Sequence, residues 1–182
     1  HMMRYPKARD LAVTYGLPII HIDQIKAVGA SAGLYDTVVS PSVRVKELAR
    51  CDLTTAHGDW VLYSFSSGLH DSPNRVLYMN KSNNKPLVRI HSECFTGDVL
   101  ASKHCDCGDQ LKWSMDEIYK NGNGVVIFPA GHEGRGIGFT NKVKAYNIMK
   151  SSGADTYSAN MKLGFDDDHR DYTECKVILE YL

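Results

Sequence analysis

Apolar-rich, strand-like runs of six or seven residues recur at SVRVKEL (42–48), DWVLYSF (59–65), RVLYMNK (75–81) and PLVRIH (86–91), each bounded by polar or turn-forming residues. The turn-forming clusters SSGLHDSPN and KSNNKP separate the later runs, so an antiparallel sheet is expected. From residue 108 the pattern changes. Leu111, Met115 and Ile118 recur at steps of four and three along GDQLKWSMDEIYKNG, which predicts an amphipathic helix with a glycine at its end. GVVIF then predicts a buried strand and GHEGRGIGF a glycine-dense loop. The helix after it is expected to carry Val143, Tyr146 and Met149 on one stripe. A last helix, RDYTECKVILEYL, places Tyr172, Cys175, Ile178 or Leu179, and Leu182 on its apolar face. Strands early and helices late predict an α+β domain, a mixed, largely antiparallel sheet with helices packed against it.

The first 42 residues read differently. A short helix in ARDLAVTYG stopped by Gly16, a strand in PIIHI and a helix in DQIKAVG precede SAGLYDTVVSPS, a run of small and turn-forming residues. This divides the chain into an N-terminal extension and linker (1–42) and a main domain (43–182). The leading His-Met reads as an expression scar.

At 182 residues the chain has the length of one ordinary domain with an appendage. Its 21 basic and 21 acidic residues leave no broad positive field, which argues against nonspecific nucleic-acid or membrane-surface binding. No apolar run has the length of a membrane span and the opening lacks a signal-peptide core, so a cytoplasmic protein is expected. In a reducing compartment, clustered cysteines point to metal ligation or reactive thiols before disulfides.

Three of the five cysteines are clustered, with Cys94, Cys105 and Cys107 in a C-x10-C-x-C arrangement. Three thiolates suit zinc and leave a fourth position for water, as catalytic zinc requires; His91 or His104 as fourth ligand would instead close a structural site. Spacing alone leaves both open, and with them a chance cluster that holds no metal. The Cys105-Asp106-Cys107 run just precedes a predicted helix, whose N-terminal amides favour thiolate charge. Cys51 has no cysteine nearby, and Cys175 reads as a packed core thiol. In the glycine loop, backbone amides and Arg135 are placed to hold phosphate oxygens. Glu133 there suits either a guanine N–H edge or an ion pair with Arg135 that holds the loop.

Taken in order, VRIHSECFTGDVLASKHCDCGDQL, EGRGIGFTNKVKAY and DTYSANMKLGFDDDHRDY resemble the GTP cyclohydrolase II family, from about Leu53 to Leu182. The resemblance implies a usually dimeric zinc enzyme that uses magnesium with the triphosphate. It implies conversion of GTP to a diaminopyrimidine ribose phosphate with release of formate and pyrophosphate, the entry step of riboflavin synthesis. By resemblance, Cys94, Cys105 and Cys107 are the zinc ligands. Arg89, Ile90, His91, Ser92, Glu93, Gln110, Glu133, Gly134, Arg135 and Thr156 contact GTP. Tyr146 is an active-site residue, Asp168 the proton acceptor and Arg170 the nucleophile. From the residues alone, Tyr146 would be core and Asp168, in DDDHRD, solvated surface.

Arginine stays protonated near neutrality, so Arg170 has two candidate roles: covalent attack on the α-phosphate, or electrostatic stabilisation of the transferring phosphoryl group, which physical chemistry favours. Two departures from the family stand out. Phe128-Pro129-Ala130-Gly131-His132 replaces a Tyr-Leu-Arg-Gln-type approach to Glu-Gly-Arg, and the sequence stops before the family's following strand and phosphate-binding turn. The first motivates an alternative, a paralogue acting on another purine or pyrimidine, as in uracil catabolism. A GTP-binding regulator with structural zinc is the non-enzymatic alternative. Residues 1–42 resemble the end of the dihydroxybutanone-phosphate synthase domain that precedes the cyclohydrolase in fused enzymes; a divergent extension is the other reading.

Overall fold

A computed structural model describes residues 43–182 apart from residue 167. The elements expected before residue 43 lie outside the described residues. Five strands, β1 (Lys46–Thr55), β2 (Gly58–Ser66), β3 (Asn74–Asn80), β4 (Leu87–Ile90) and β5 (Asn123–Phe128), form one sheet in the order β1-β2-β3-β5-β4. All neighbours are antiparallel except β4 and β5, which are parallel. The helices are α1 (Phe95–Asp98), α2 (Cys107–Asn121), α3 (Gly138–Ser152), α4 (Thr156–Lys162) and α5 (Thr173–Tyr181). This is the mixed α+β architecture that strand-like runs early and helical periods late predict.

The period of two sorts the sheet into two cores. Tyr63, Phe65, Val76, Val125 and Ile127 face one side and pack with Cys175 and Ile178 of α5. Trp60, Leu77, Met79 and Val126 face the other and pack with Met115 and Ile118 of α2. Both faces of β5 are therefore covered, which is why GVVIF reads as a continuous apolar run. Cys175 is a core thiol, its pKa pushed up to about 11 chiefly by burial.

Several expectations are corrected. The first strand begins at Lys46 and runs to Thr55, beyond the SVRVKEL window. Among the described strands it pairs with β2 alone and is exposed along most of its length, so burial imposes little alternation on its second half. The stripe expected on α3 is not its buried face. Val143 is exposed, whereas Lys142 and Ala145 are buried, because an ion pair turns Lys142 inward. The last helix starts at Thr173, and Tyr172 lies outside its apolar face. The short helices α1 and α4 carry no stripe long enough to read. Among the described residues, no helix is long and apolar enough to cross a membrane.

Candidate active site

Because β4 and β5 are parallel, their carboxyl ends lie side by side, and the ladder continues one residue further through His91 N–H to Ile127 O at 2.8 Å. Crevices at such strand ends are common ligand sites. Residues 91–94 leave β4 there, and the glycine loop leaves β5. The two predicted motifs thus become neighbours.

Cys94 precedes α1, Cys107 opens α2, and Cys105 lies two residues before it. Their three sulfurs fall within 4.8 Å of one another, with Cys94 and Cys105 Sγ atoms 3.6 Å apart. A tetrahedral zinc with bonds of about 2.3 Å requires sulfurs about 3.8 Å apart, so the donor set fits such an ion. Glycine makes this approach possible. A Cβ on Gly97 would stand 2.8 Å from Cys105 Sγ and 3.2 Å from Cys94 Sγ, and one on Gly108 would stand 2.4 Å from Gly97 O. Sequence reasoning missed both glycines, since neither lies in a turn pattern.

Neither histidine proposed as fourth ligand joins the cluster of possible ligands among the described residues. His91 is fully buried and its ring nitrogens are engaged: Nδ1 is 3.3 Å from Arg89 and Nε2 is 3.0 Å from Asp98. Asp98 also accepts the Cys94 backbone N–H at 2.9 Å, locking the 91–98 segment. His104 is exposed, its ring against that of Tyr146. Among the described residues, three side chains are therefore placed to serve as ligands of one ion.

Lys142 was not foreseen. Its buried ammonium donates to Cys94 Sγ at 3.1 Å and to Glu133 Oε1 at 2.6 Å. Burial opposes its charge, but the bonds to Glu133 and Cys94 prevail and hold its pKa above the usual lysine value. The Cys94 thiol is lowered to about 4, first by the hydrogen bond from Cys107 and then, against burial, by Lys142, Thr96 and the Gly97 amide. Cys107 is raised for the converse reason, the adjoining Cys94 sulfur and burial opposing a second negative charge. Three sulfurs this close become thiolates together only around a cation.

Glu133 also accepts the backbone N–H groups of Phe95 at 2.7 Å and Gly134 at 3.1 Å. The expected loop-holding ion pair therefore exists, but with Lys142 instead of Arg135. Arg135 has a left-handed backbone, φ 65°, and its guanidinium lies 3.5 Å from the centre of the Tyr157 ring, with Nη1 buried and without a hydrogen-bond partner among the described residues. Thr156 opens α4 beside that ring. Tyr146 is not core. Its hydroxyl is 3.0 Å from Thr96 Oγ1, which is 3.6 Å from Cys94 Sγ.

Asp168 and Arg170 are paired, Nε to Oδ1 at 2.8 Å and Nη2 to Oδ2 at 2.5 Å, which lowers the carboxyl pKa and raises that of the guanidinium. Arg170 Nη1 reaches Ser92 Oγ at 3.2 Å. Among the remaining candidates, Arg89 donates to Gln110 at 2.9 Å. Glu93 is drawn to Arg75 at 3.2 Å, and the Ile90 side chain packs on the core beside α5. These two are not brought together with the sulfurs through their side chains.

Fold and site together define a mixed α+β domain that presents a three-thiol metal-type cluster beside an arginine–carboxylate pair. A family model described as GTP cyclohydrolase II matches residues 46–182. The chain belongs to the GTP cyclohydrolase II family. Similar proteins carry the name riboflavin biosynthesis protein RibBA. That of Mycobacteroides abscessus is 41% identical over 134 residues, covering 70% of this chain and 32% of the relative. Those of Aquifex aeolicus and Salinispora arenicola are 38% and 36% identical over 173 residues, covering 94% of this chain and 40% and 39% of the relatives. The chain thus spans two fifths or less of these relatives' length. A solved two-domain 3,4-dihydroxy-2-butanone 4-phosphate synthase, RibBX of A. baumannii, aligns with 71% of this chain and 33% of its own at 16% identity, with a TM-score of 0.30.

Proposed function

We propose that the domain opens the guanine imidazole ring of GTP by zinc-dependent hydrolysis, releasing formate and pyrophosphate and leaving 2,5-diamino-6-hydroxy-4-(5-phosphoribosylamino)pyrimidine, the first step of riboflavin biosynthesis. The observation that carries this reading is the convergence of Cys94, Cys105 and Cys107 without a fourth protein ligand among the described residues. A zinc ion in that position supplies a water acidic enough to act near neutrality. The Tyr146 hydroxyl, held by Thr96, is placed to protonate a departing ring nitrogen or to orient a water. Arg170, kept charged by Asp168, acts as an electrostatic clamp on the α-phosphate in preference to a nucleophile. Arg89, His91, Ser92, Gln110, Gly134, Arg135 and Thr156 line the nucleotide side, with the backbones of Ile90 and Glu93. Glu133 reads the guanine edge only by giving up one of its present partners. Magnesium accompanies the triphosphate.

The working unit in this reading is a cytoplasmic homodimer with no nucleic-acid or membrane partner. An alignment that covers 94% of this chain necessarily reaches into the segment before residue 43, which supports reading residues 1–42 as the tail of a preceding synthase domain. A paralogue acting on another base is less favoured, since the Ala130 and His132 side chains of the altered segment are buried and offer little surface to a substrate.

The test is incubation of the zinc-loaded protein with GTP and magnesium, followed by assay of formate and pyrophosphate and mass analysis of the product. Equal amounts of formate and pyrophosphate are expected, and neither from Cys105→Ser. Formate from a free base or another nucleotide but not from GTP would transfer the reading to the paralogue.

A further inference from the structure

The segment that departs from the family pattern contains a residue with an evident physical task. His132 is 3% exposed, and its ring nitrogens face two different partners. Nε2 lies 2.8 Å from the backbone oxygen of Asp171, and Nδ1 lies 3.1 Å from Ser92 Oγ. A carbonyl only accepts, so Nε2 carries the proton. Nδ1 of the neutral ring must then accept, and the Ser92 hydroxyl donates to it. That orientation leaves the Ser92 lone pairs for Arg170 Nη1, at 3.2 Å. Burial, and after it the positive charge of Arg170, lowers the ring's pKa and so favours the neutral form, although the Asp171 carbonyl and Asp168 act the other way. The Tyr172 ring packs edge-on against His132 at 4.8 Å and lies 5.7 Å from the Arg170 guanidinium, bracing both.

We propose that His132 is a positioning residue for Arg170, fixing through Ser92 the direction of the guanidinium edge that Asp168 does not hold. The inference rests on the proposed clamp role of Arg170 and specifies what aims it. The bonds of 2.8 and 2.5 Å that Nε and Nη2 donate to the Asp168 carboxylate fix that edge. Two partners on different sides of one planar group stop it from swinging about the side-chain axis, and such fixation is what electrostatic catalysis requires of a charged donor. The direction of the Ser92 proton passes in turn to the backbone of residue 171, next to Arg170. The chain of bonds therefore closes on the loop that carries Arg170.

The experiment compares His132→Leu, His132→Gln and Ser92→Ala with the unaltered chain by two readouts. The first is kcat and KM for pyrophosphate release from GTP. His132→Leu and Ser92→Ala are expected to lower kcat roughly 10- to 100-fold with a smaller change in KM, as misplacement of a transition-state group does. His132→Gln, with one donor and one acceptor at its tip, is expected to stay within about fivefold. His132→Leu added to Arg170→Lys should cost little more, since the group it aims is already gone. The second readout needs no turnover: the Arg170 Nη signals in nitrogen-15 NMR. Slow rotation is expected in the unaltered chain and in His132→Gln, and fast rotation in His132→Leu and Ser92→Ala. Unchanged Arg170 signals in the folded Leu and Ala variants would overturn the proposal. An unaltered chain that releases no formate or pyrophosphate from GTP would defeat the functional reading instead, and the NMR result would still decide what holds Arg170.

Discussion

The two halves of the site are built in opposite ways. The sulfur half is a backbone construction in which two helix starts meet at glycines, Asp98 ties down the connecting segment, and a buried ammonium faces Cys94. The arginine half is a side-chain construction. Arg170 and Asp168 sit in a loop with side chains 24% and 35% exposed, and the Ser92 and His132 side chains hold the remaining edge of the guanidinium. The difference teaches where each half is vulnerable. Damage to the first should appear in stability and metal retention, and damage to the second in catalysis with the fold intact.

The sharpest way to break the comparison is Cys105→Ser. Formate release should fall on the order of a thousandfold or more, together with loss of bound zinc measured by atomic emission. Arg170→Ala should lower kcat for pyrophosphate release by roughly 10²- to 10³-fold, with zinc content unchanged. Its unfolding free energy should change by less than about 1 kcal/mol in urea titration, because a partly exposed ion pair contributes little. Equal losses of stability in both variants would erase the distinction.

Gly97→Ala sharpens the comparison, since it adds one methyl group whose nearest neighbours are the three cysteines, with Cys105 Sγ at 2.8 Å. Zinc affinity, measured by chelator competition, should weaken roughly 10- to 100-fold. The smallest effect is a pH dependence. Burial holds the His132 pKa in the folded chain below the ordinary value of about 6.5, so the unfolded chain binds the proton more readily. Stability should therefore fall as pH drops below about 6.5, by at most about 1.4 kcal/mol per pH unit, and this part should vanish in His132→Gln. Urea titrations at pH 7.5 and about 5.5 check the sign.

The strands, α2 and the order of motifs are legible in the sequence because burial on one or both faces imposes a period. Strand β1 is only half legible, since little of it is buried. The α3 stripe misleads because its buried face includes a lysine, whose ion pair with Glu133 is set by a loop nine residues away in sequence. The thiol cluster is legible as a spacing, but its open or closed character depends on where His91 and His104 point, which only the paired strand ends and α1 determine. Tyr146 and Asp168 show the same limit. Periodicity makes Tyr146 core, yet it turns to Thr96; Asp168 is on the surface as its acidic run suggests, but nothing in that run announces its pairing with Arg170.

The central claim is that a metal ion here takes three sulfurs from the protein and keeps one position for a small oxygen ligand. X-ray absorption at the zinc edge of the loaded protein tests it most directly. The predicted result is three sulfurs at about 2.3 Å and one lighter atom at about 2.0 Å that changes when nucleotide is added. A shell of four protein ligands containing an imidazole, or fewer than three sulfurs, would contradict it.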